Sequence, residues 1–165
     1  MKKSLVNRRF QKLLLEKEAN RIVDSGKIKT IGIISSDEIS RWIDIKKEVD
    51  SIYNTDAKIF SFLSSTKNKP ENTLHFSEKS FGWKGQVKEA SLKTFLEEPF
   101  DLLIGYFNKK NLYTELAVLH SNAKFKAGIS KVNQQLYDIE INEYPKNTVR
   151  FLTELKRYIE ILNKI

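Results

Sequence analysis

Two histidines, His75 and His120, are the only imidazoles in this chain of 165 residues, and it contains no cysteine. The missing thiols remove disulfides, thiolate metal sites and thiol nucleophiles together. His120 closes an apolar stretch that reads as a helix. An imidazole is favourable at a helix C-terminus, so a structural role is the simpler reading for it. His75 has Glu71 and Glu78 as its nearest carboxylates in sequence, a spacing that matches no metal site. Glu97 and Glu98 are adjacent, but the separation that paired acid and base carboxylates need is set by the fold, not by adjacency. No nucleophile elbow, glycine-rich phosphate loop or zinc motif occurs. The residue inventory therefore points to binding rather than catalysis, with no cofactor and no metal expected.

Charge is the stronger signal. Lys and Arg number 29 against 21 Asp and Glu, a formal charge of +8. Residues 1–27 carry eight basic and three acidic side chains, and residues 145–165 carry five and two. The 117 residues between them hold sixteen of each sign, so the net charge resides in the two terminal segments. The basic start is followed only by Leu13-Leu14-Leu15 and then Glu16-Lys17-Glu18, too short an apolar run for a signal peptide. No segment approaches the roughly 18 apolar residues of a membrane span. A cytoplasmic protein without stable membrane insertion is expected.

The elements that carry these residues alternate in type. Val6, Phe10, Leu13, Leu14 and Val23 recur at helical spacing over residues 4–23, and Asp24-Ser25-Gly26 would end that helix. Ile28 onward is a β-branched run suited to a buried strand. Ser35-Ser36-Asp37-Glu38 then offers an N-cap and early acidic residues for a second helix reaching Asn54. Strands are predicted at 57–63, 73–77, 100–107, 124–129 and 136–141, a polar loop at 64–72, and helices at 87–96 and 112–120. Pro145 opens a last amphipathic helix with Val149, Leu152, Leu155, Tyr158, Ile159 and Leu162. This alternation predicts one α/β domain over 1–165, a three-layer Rossmann-like or flavodoxin-like sandwich. Its sheet would be mostly parallel, with five or six strands.

In such sheets ligands bind beyond the carboxyl ends of the strands. Three loops are expected there. Ser36 and Asp37 open a helix whose free N–H groups suit an anion, although the acidic first turn suits plain capping as well. Trp83 and Lys84, in Phe81-Gly82-Trp83-Lys84-Gly85, suit stacking on and pairing with a nucleotide or RNA base, while aromatics in an irregular segment also plug core edges. Asn108, in Asn108-Lys109-Lys110-Asn111, can touch phosphate and reads equally as a solvated turn.

The stretch Phe100-Asp101-Leu102-Leu103-Ile104 through Leu116 to Ile129, with Ala123-Lys124 and Gly128, resembles a strand, helix and strand in the amino-terminal domain of heptosyltransferase-type glycosyltransferases. That resemblance implies a Rossmann-like fold. Those enzymes carry a Gly-Asp pair where this chain has Ser35-Ser36-Asp37, and their sugar-nucleotide site lies mostly in a second domain. Asp37 alone corresponds to an acceptor-side residue, so the likeness implies the fold and not the transfer reaction. Along its whole length, including Phe81 to Gly85, the chain is similar to a family of small, basic bacterial proteins, a domain of unknown function.

Together these readings lead to a non-catalytic interaction protein that presents basic terminal helices to an acidic macromolecule, RNA or a ribonucleoprotein such as the ribosome. If both helices cover one face of the sheet, Lys2, Lys3, Arg8, Arg9, Lys12, Arg150, Lys156 and Arg157 form a single patch. The same lysines also serve ordinary solubility. A second reading places a small molecule or nucleotide near Ser36, Trp83 and Asn108. A third puts the first helix on a membrane surface through Phe10 and its leucines.

Overall fold

The computed structural model describes residues 1–19, 26–64 and 74–165. In order these form α1 (Lys2–Ala19), β1 (Ile31–Ser36), α2 (Asp37–Ser40), α3 (Ile45–Tyr53), β2 (Lys58–Phe62) and β3 (Leu74–Phe76). There follow α4 (Ala90–Glu97), β4 (Leu102–Tyr106), α5 (Leu112–His120), β5 (Lys126–Ile129), β6 (Ile139–Ile141) and α6 (Thr148–Ile161). The expected run of the first helix through Val23, its stop at Asp24-Ser25, and the 65–73 stretch lie outside the described residues.

All six strands pair in parallel in the order β3-β2-β1-β4-β5-β6, the strand order of the Rossmann fold. A parallel sheet covered on both faces needs apolar residues on both sides of its strands. Leu102-Leu103-Ile104-Gly105-Tyr106 meets that need and is buried throughout. Right-handed crossovers place α3, between β1 and β2, on one face and α5, between β4 and β5, on the other. The side chains agree. Tyr106 of β4 meets Phe151 of α6 at 5.1 Å between ring centroids, and its hydroxyl donates to Thr148 Oγ1 at 3.1 Å. The neighbouring Gly105 faces the opposite way, toward Tyr137.

Two glycines make that second face possible. A Cβ at Gly105 would fall 2.2 Å from the Tyr137 hydroxyl oxygen, and one at Gly128 would fall 2.2 Å from the Tyr137 ring. The buried ring lies directly over the backbones of β4 and β5. At the amino end of the sheet Asp101 ties the strands: it accepts from Lys29 N (2.9 Å), Thr30 N (3.0 Å) and Lys124 Nζ (3.0 Å). Burial pushes the Asp101 carboxyl up, but those donors outweigh it and hold the group below the usual carboxylate range.

Three expectations about elements are corrected. The second helix is broken between Ser40 and Ile45, because Asp44 accepts from Lys47 N at 3.1 Å and starts α3 afresh. Trp42, assigned to its apolar face, lies in that break and is 84% exposed. Ser36 takes the N-cap position of α2 without a side-chain bond, and Asp37 Oδ1 accepts from Glu38 N at 2.9 Å instead. The strand expected over 136–141 joins the sheet only as Ile139–Ile141, after a tight turn at Gln134–Leu136 whose Leu136 is buried. Among the described residues no helix is long and apolar enough to cross a membrane.

Candidate nucleic-acid interface

Helix α1 buries Val6, Phe10 and Leu14, spaced four apart, and packs on α5. Phe10 and Leu14, which a membrane-surface reading would turn to lipid, are therefore inside the protein, while Leu5 and Leu15 stay exposed. Turned away from that face are Leu5, Arg8, Arg9 and Lys12, all exposed. None of the three cations forms an ion pair or hydrogen bond among the described residues.

The 81–86 loop is laid beside them. Phe81 bridges to Val87 in antiparallel fashion, Gly82 N donates to Gln86 O at 2.8 Å, and Gly85 N donates to Gly82 O at 3.0 Å. Gly85 takes φ +74°, a left-handed conformation that costs glycine nothing and a side chain about 1 kcal/mol or more. A Cβ there would lie 3.6 Å from Arg9 Cγ and 3.7 Å from Val6 Cγ1, so the loop backbone rests on α1. His120 Nε2 donates to Gly85 O at 2.8 Å and fastens the loop to the end of α5. Burial lowers the His120 pKa below its ordinary 6.5, and the charges of Lys17, Lys126 and Arg9 reinforce that shift against the Gly85 bond.

The two aromatics of this loop part company. Phe81 is fully buried among Phe76, Tyr113 and His120, as a core plug would be. Trp83 is 55% exposed and, with Lys84, lines an open groove of about 860 Å³ shared with Leu5, Arg8, Arg9, Lys12 and Gln86. Among the described residues that groove has four cations on its rim and no carboxylate. Trp83 and Lys84 thus join the basic helix, which corrects their expected place at the strand ends with Ser36, Asp37 and Asn108. Lys2 donates from Nζ to Glu78 O at 3.1 Å, and Lys3, beside it in the first turn of α1, lies over the strand ends.

Helix α6 packs on α3, so the two basic helices lie on opposite faces of the sheet. The condition for a single eight-residue patch is not met. Arg157 Nη2 pairs with Glu154 at 2.7 Å and its guanidinium lies 5.6 Å from the Tyr158 ring centroid. Lys156 Nζ donates to the Ile52 carbonyl near the end of α3 at 3.1 Å, as cations commonly do at helix C-termini. Arg150 lines a groove of about 570 Å³ that also holds Glu140, Glu143 and Glu154, one cation against three carboxylates. Donation from Asn147 and from the Tyr144 N–H, with Arg150 adding its charge, holds Glu143 below the usual carboxylate range.

At the carboxyl ends of the strands the expected anion site is filled from within. Asp37 is buried and accepts from Glu38 N at 2.9 Å and Ser64 Oγ at 3.1 Å, with Arg41 3.6 Å away. Lys109 pairs with Glu38 across the switch in strand order, at 2.5 Å, beside the exposed Asn108. Asn111 is drawn into capping α5, accepting from Tyr113 N at 2.9 Å and Thr114 N at 3.2 Å. Glu115 accepts from Asn111 N (3.0 Å) and Asn133 Nδ2 (3.2 Å), and burial pushes its pKa up. A buried carboxylate with both oxygens occupied by fixed donors is a structural clamp.

The strand order and the self-filled switch point define a Rossmann-like α/β protein whose first helix carries cations that are unpaired among the described residues. The chain belongs to a family of unknown function, DUF6913, whose model matches residues 2–162. No curated protein and no solved structure matches it, and the local likeness to heptosyltransferases gains no support.

Proposed function

We propose that the protein is a cytoplasmic, non-catalytic RNA-binding module that engages single-stranded RNA, free or within a ribonucleoprotein, through α1 and the 81–86 loop. One observation carries this reading: a half-exposed indole, Trp83, stands among Arg8, Arg9, Lys12 and Lys84, with no carboxylate among the described residues of the same groove. Cations that track a phosphate backbone, combined with an aromatic ring on which a base stacks, make up the general chemistry of sequence-tolerant single-strand binding. The backbone bonds of the loop hold the indole in place before any ligand arrives, which limits the ordering cost of binding. Duplex readout has less support, because the exposed indole offers stacking only to an unpaired base.

The test uses the full chain with Trp42→Phe, which leaves Trp83 as the only indole. Titration with oligouridylate at low salt is expected to quench its fluorescence saturably, and added salt should reverse the quenching. The combined variant Arg8→Glu/Arg9→Glu/Lys12→Glu should lose the response while keeping its thermal unfolding midpoint. Absence of quenching at low salt, or quenching indifferent to that variant, would overturn the proposal.

A further inference from the structure

A second cavity, of about 560 Å³, opens at the carboxyl ends of β2 and β4, within the size range of small-ligand sites. Three lysines reach it from three separate elements: Lys3 from α1, Lys79 from the turn after β3, and Lys110 from the loop before α5. None of them forms an ion pair among the described residues. Among the described residues Glu78 is the one carboxylate in the wall. The floor is aromatic: Phe62 and Tyr113 lie with their rings nearly parallel, 7° apart, at 6.2 Å between centroids. Burial and the nearby Glu78 push the Tyr113 pKa up, which keeps its hydroxyl protonated at neutral pH.

Three ammonium groups brought together from distant parts of the chain repel one another, and the fold gains nothing from that convergence unless an anion shares the site. Among the described residues Glu78 is the one acid in the wall and Glu115 also feels the Lys110 charge, so three lysines face two carboxylates and leave a net positive charge that a phosphate dianion would neutralise. Apolar walls beside a cationic end suit a ligand with a planar ring at one end and a phosphate at the other. From the Lys3, Lys79 and Lys110 cluster over the Phe62 and Tyr113 floor we infer that this cavity binds the phosphomonoester of a nucleotide-sized ligand. That phosphate belongs either to a free mononucleotide or to the 5′ end of an RNA. This site shares no side chain with the Trp83 groove, so the two stand or fall separately.

Thermal unfolding of the full chain measures the inference directly. Uridine 5′-monophosphate is expected to raise the unfolding midpoint, inorganic phosphate to raise it less, and uridine to leave it unchanged. A site with Kd of about 1 mM shifts the folding equilibrium about elevenfold at about 10 mM ligand. Lys79→Gln/Lys110→Gln should weaken that response at least tenfold, and Arg8→Glu/Arg9→Glu/Lys12→Glu should retain it. Tighter binding of 5′-phosphorylated than of 5′-hydroxyl oligouridylate would assign the phosphate to an RNA end, and equal binding would assign it to a free nucleotide. No shift with either phosphate or the nucleotide, or a full shift in the lysine variant, overturns the inference.

Discussion

Helices α1 and α6 are both basic and amphipathic, and they flank the same sheet, yet their charges are employed in opposite ways. On α1 the cations Arg8, Arg9 and Lys12 form no ion pair among the described residues and share a groove with Lys84 and Trp83. On α6 Arg157 pairs with Glu154 and Lys156 donates to the Ile52 carbonyl, while Arg150 lines a groove with three glutamates and its charge acts on Glu143. Formal charge is thus a poor guide to available charge. An ion pair at the surface is worth little to stability, but it cancels the field that an outside anion would feel.

The contrast can be broken most severely by charge reversal. Arg8→Glu/Arg9→Glu/Lys12→Glu is expected to weaken oligouridylate binding by about a hundredfold at low salt, measured by fluorescence anisotropy. The matching change on α6, Arg150→Glu/Arg157→Glu, should alter affinity less than about threefold, because those charges are already opposed. Next in size is the indole. Trp83→Ala should cost about 1–3 kcal/mol of binding, about 5- to 150-fold in affinity, whereas Trp42→Ala, equally aromatic and more exposed, should leave binding unchanged.

The same comparison predicts the reverse ranking for stability. Lys156→Met removes a bond to a helix-end carbonyl and should lower stability by about 1 kcal/mol in urea unfolding. Arg8→Met, which removes no ion pair or hydrogen bond among the described residues, should stay within about 0.5 kcal/mol of the native chain. A smaller effect is expected with pH. His120 has its pKa lowered on folding, so the unfolded chain takes up a proton first as pH falls through 6.5. Stability contributed by the neutral ring is present above that pH and lost below it, down to the lowered folded value. His120→Gln should flatten this part of the stability profile, which guanidinium titrations at pH 7.5 and 5.5 would resolve.

Much of this architecture was legible in the residues. The buried run at β4, the proline before α6 and the alternation of strand and helix all follow from local pattern, and parallel strands with short connections leave few topologies. Other features were hidden for identifiable reasons. Ile39, Trp42 and Ile43 fit one helical face, but Asp44 caps the next turn and ends the periodicity. Phe81 and Trp83 have the same local signature, and only the left-handed turn at Gly85 and the seat on α1 separate core plug from exposed ring. The acids that silence α6 include Glu140 and Glu143, which lie outside the 145–165 segment, so a segment-by-segment charge count could not subtract them. Lys3, Lys79 and Lys110 are distant in sequence and meet only once the sheet has formed.

The central claim is that α1 carries the available charge and α6 does not, and the salt dependence of RNA affinity tests it most directly. Plotting log K for oligouridylate against log salt gives a slope of about 0.7 per phosphate neutralised on a single strand. Reversing Arg8, Arg9 and Lys12 should reduce that slope by about 2 units, and reversing Arg150 and Arg157 should leave it unchanged. Equal reductions from the two helices, or none from α1, would contradict the account.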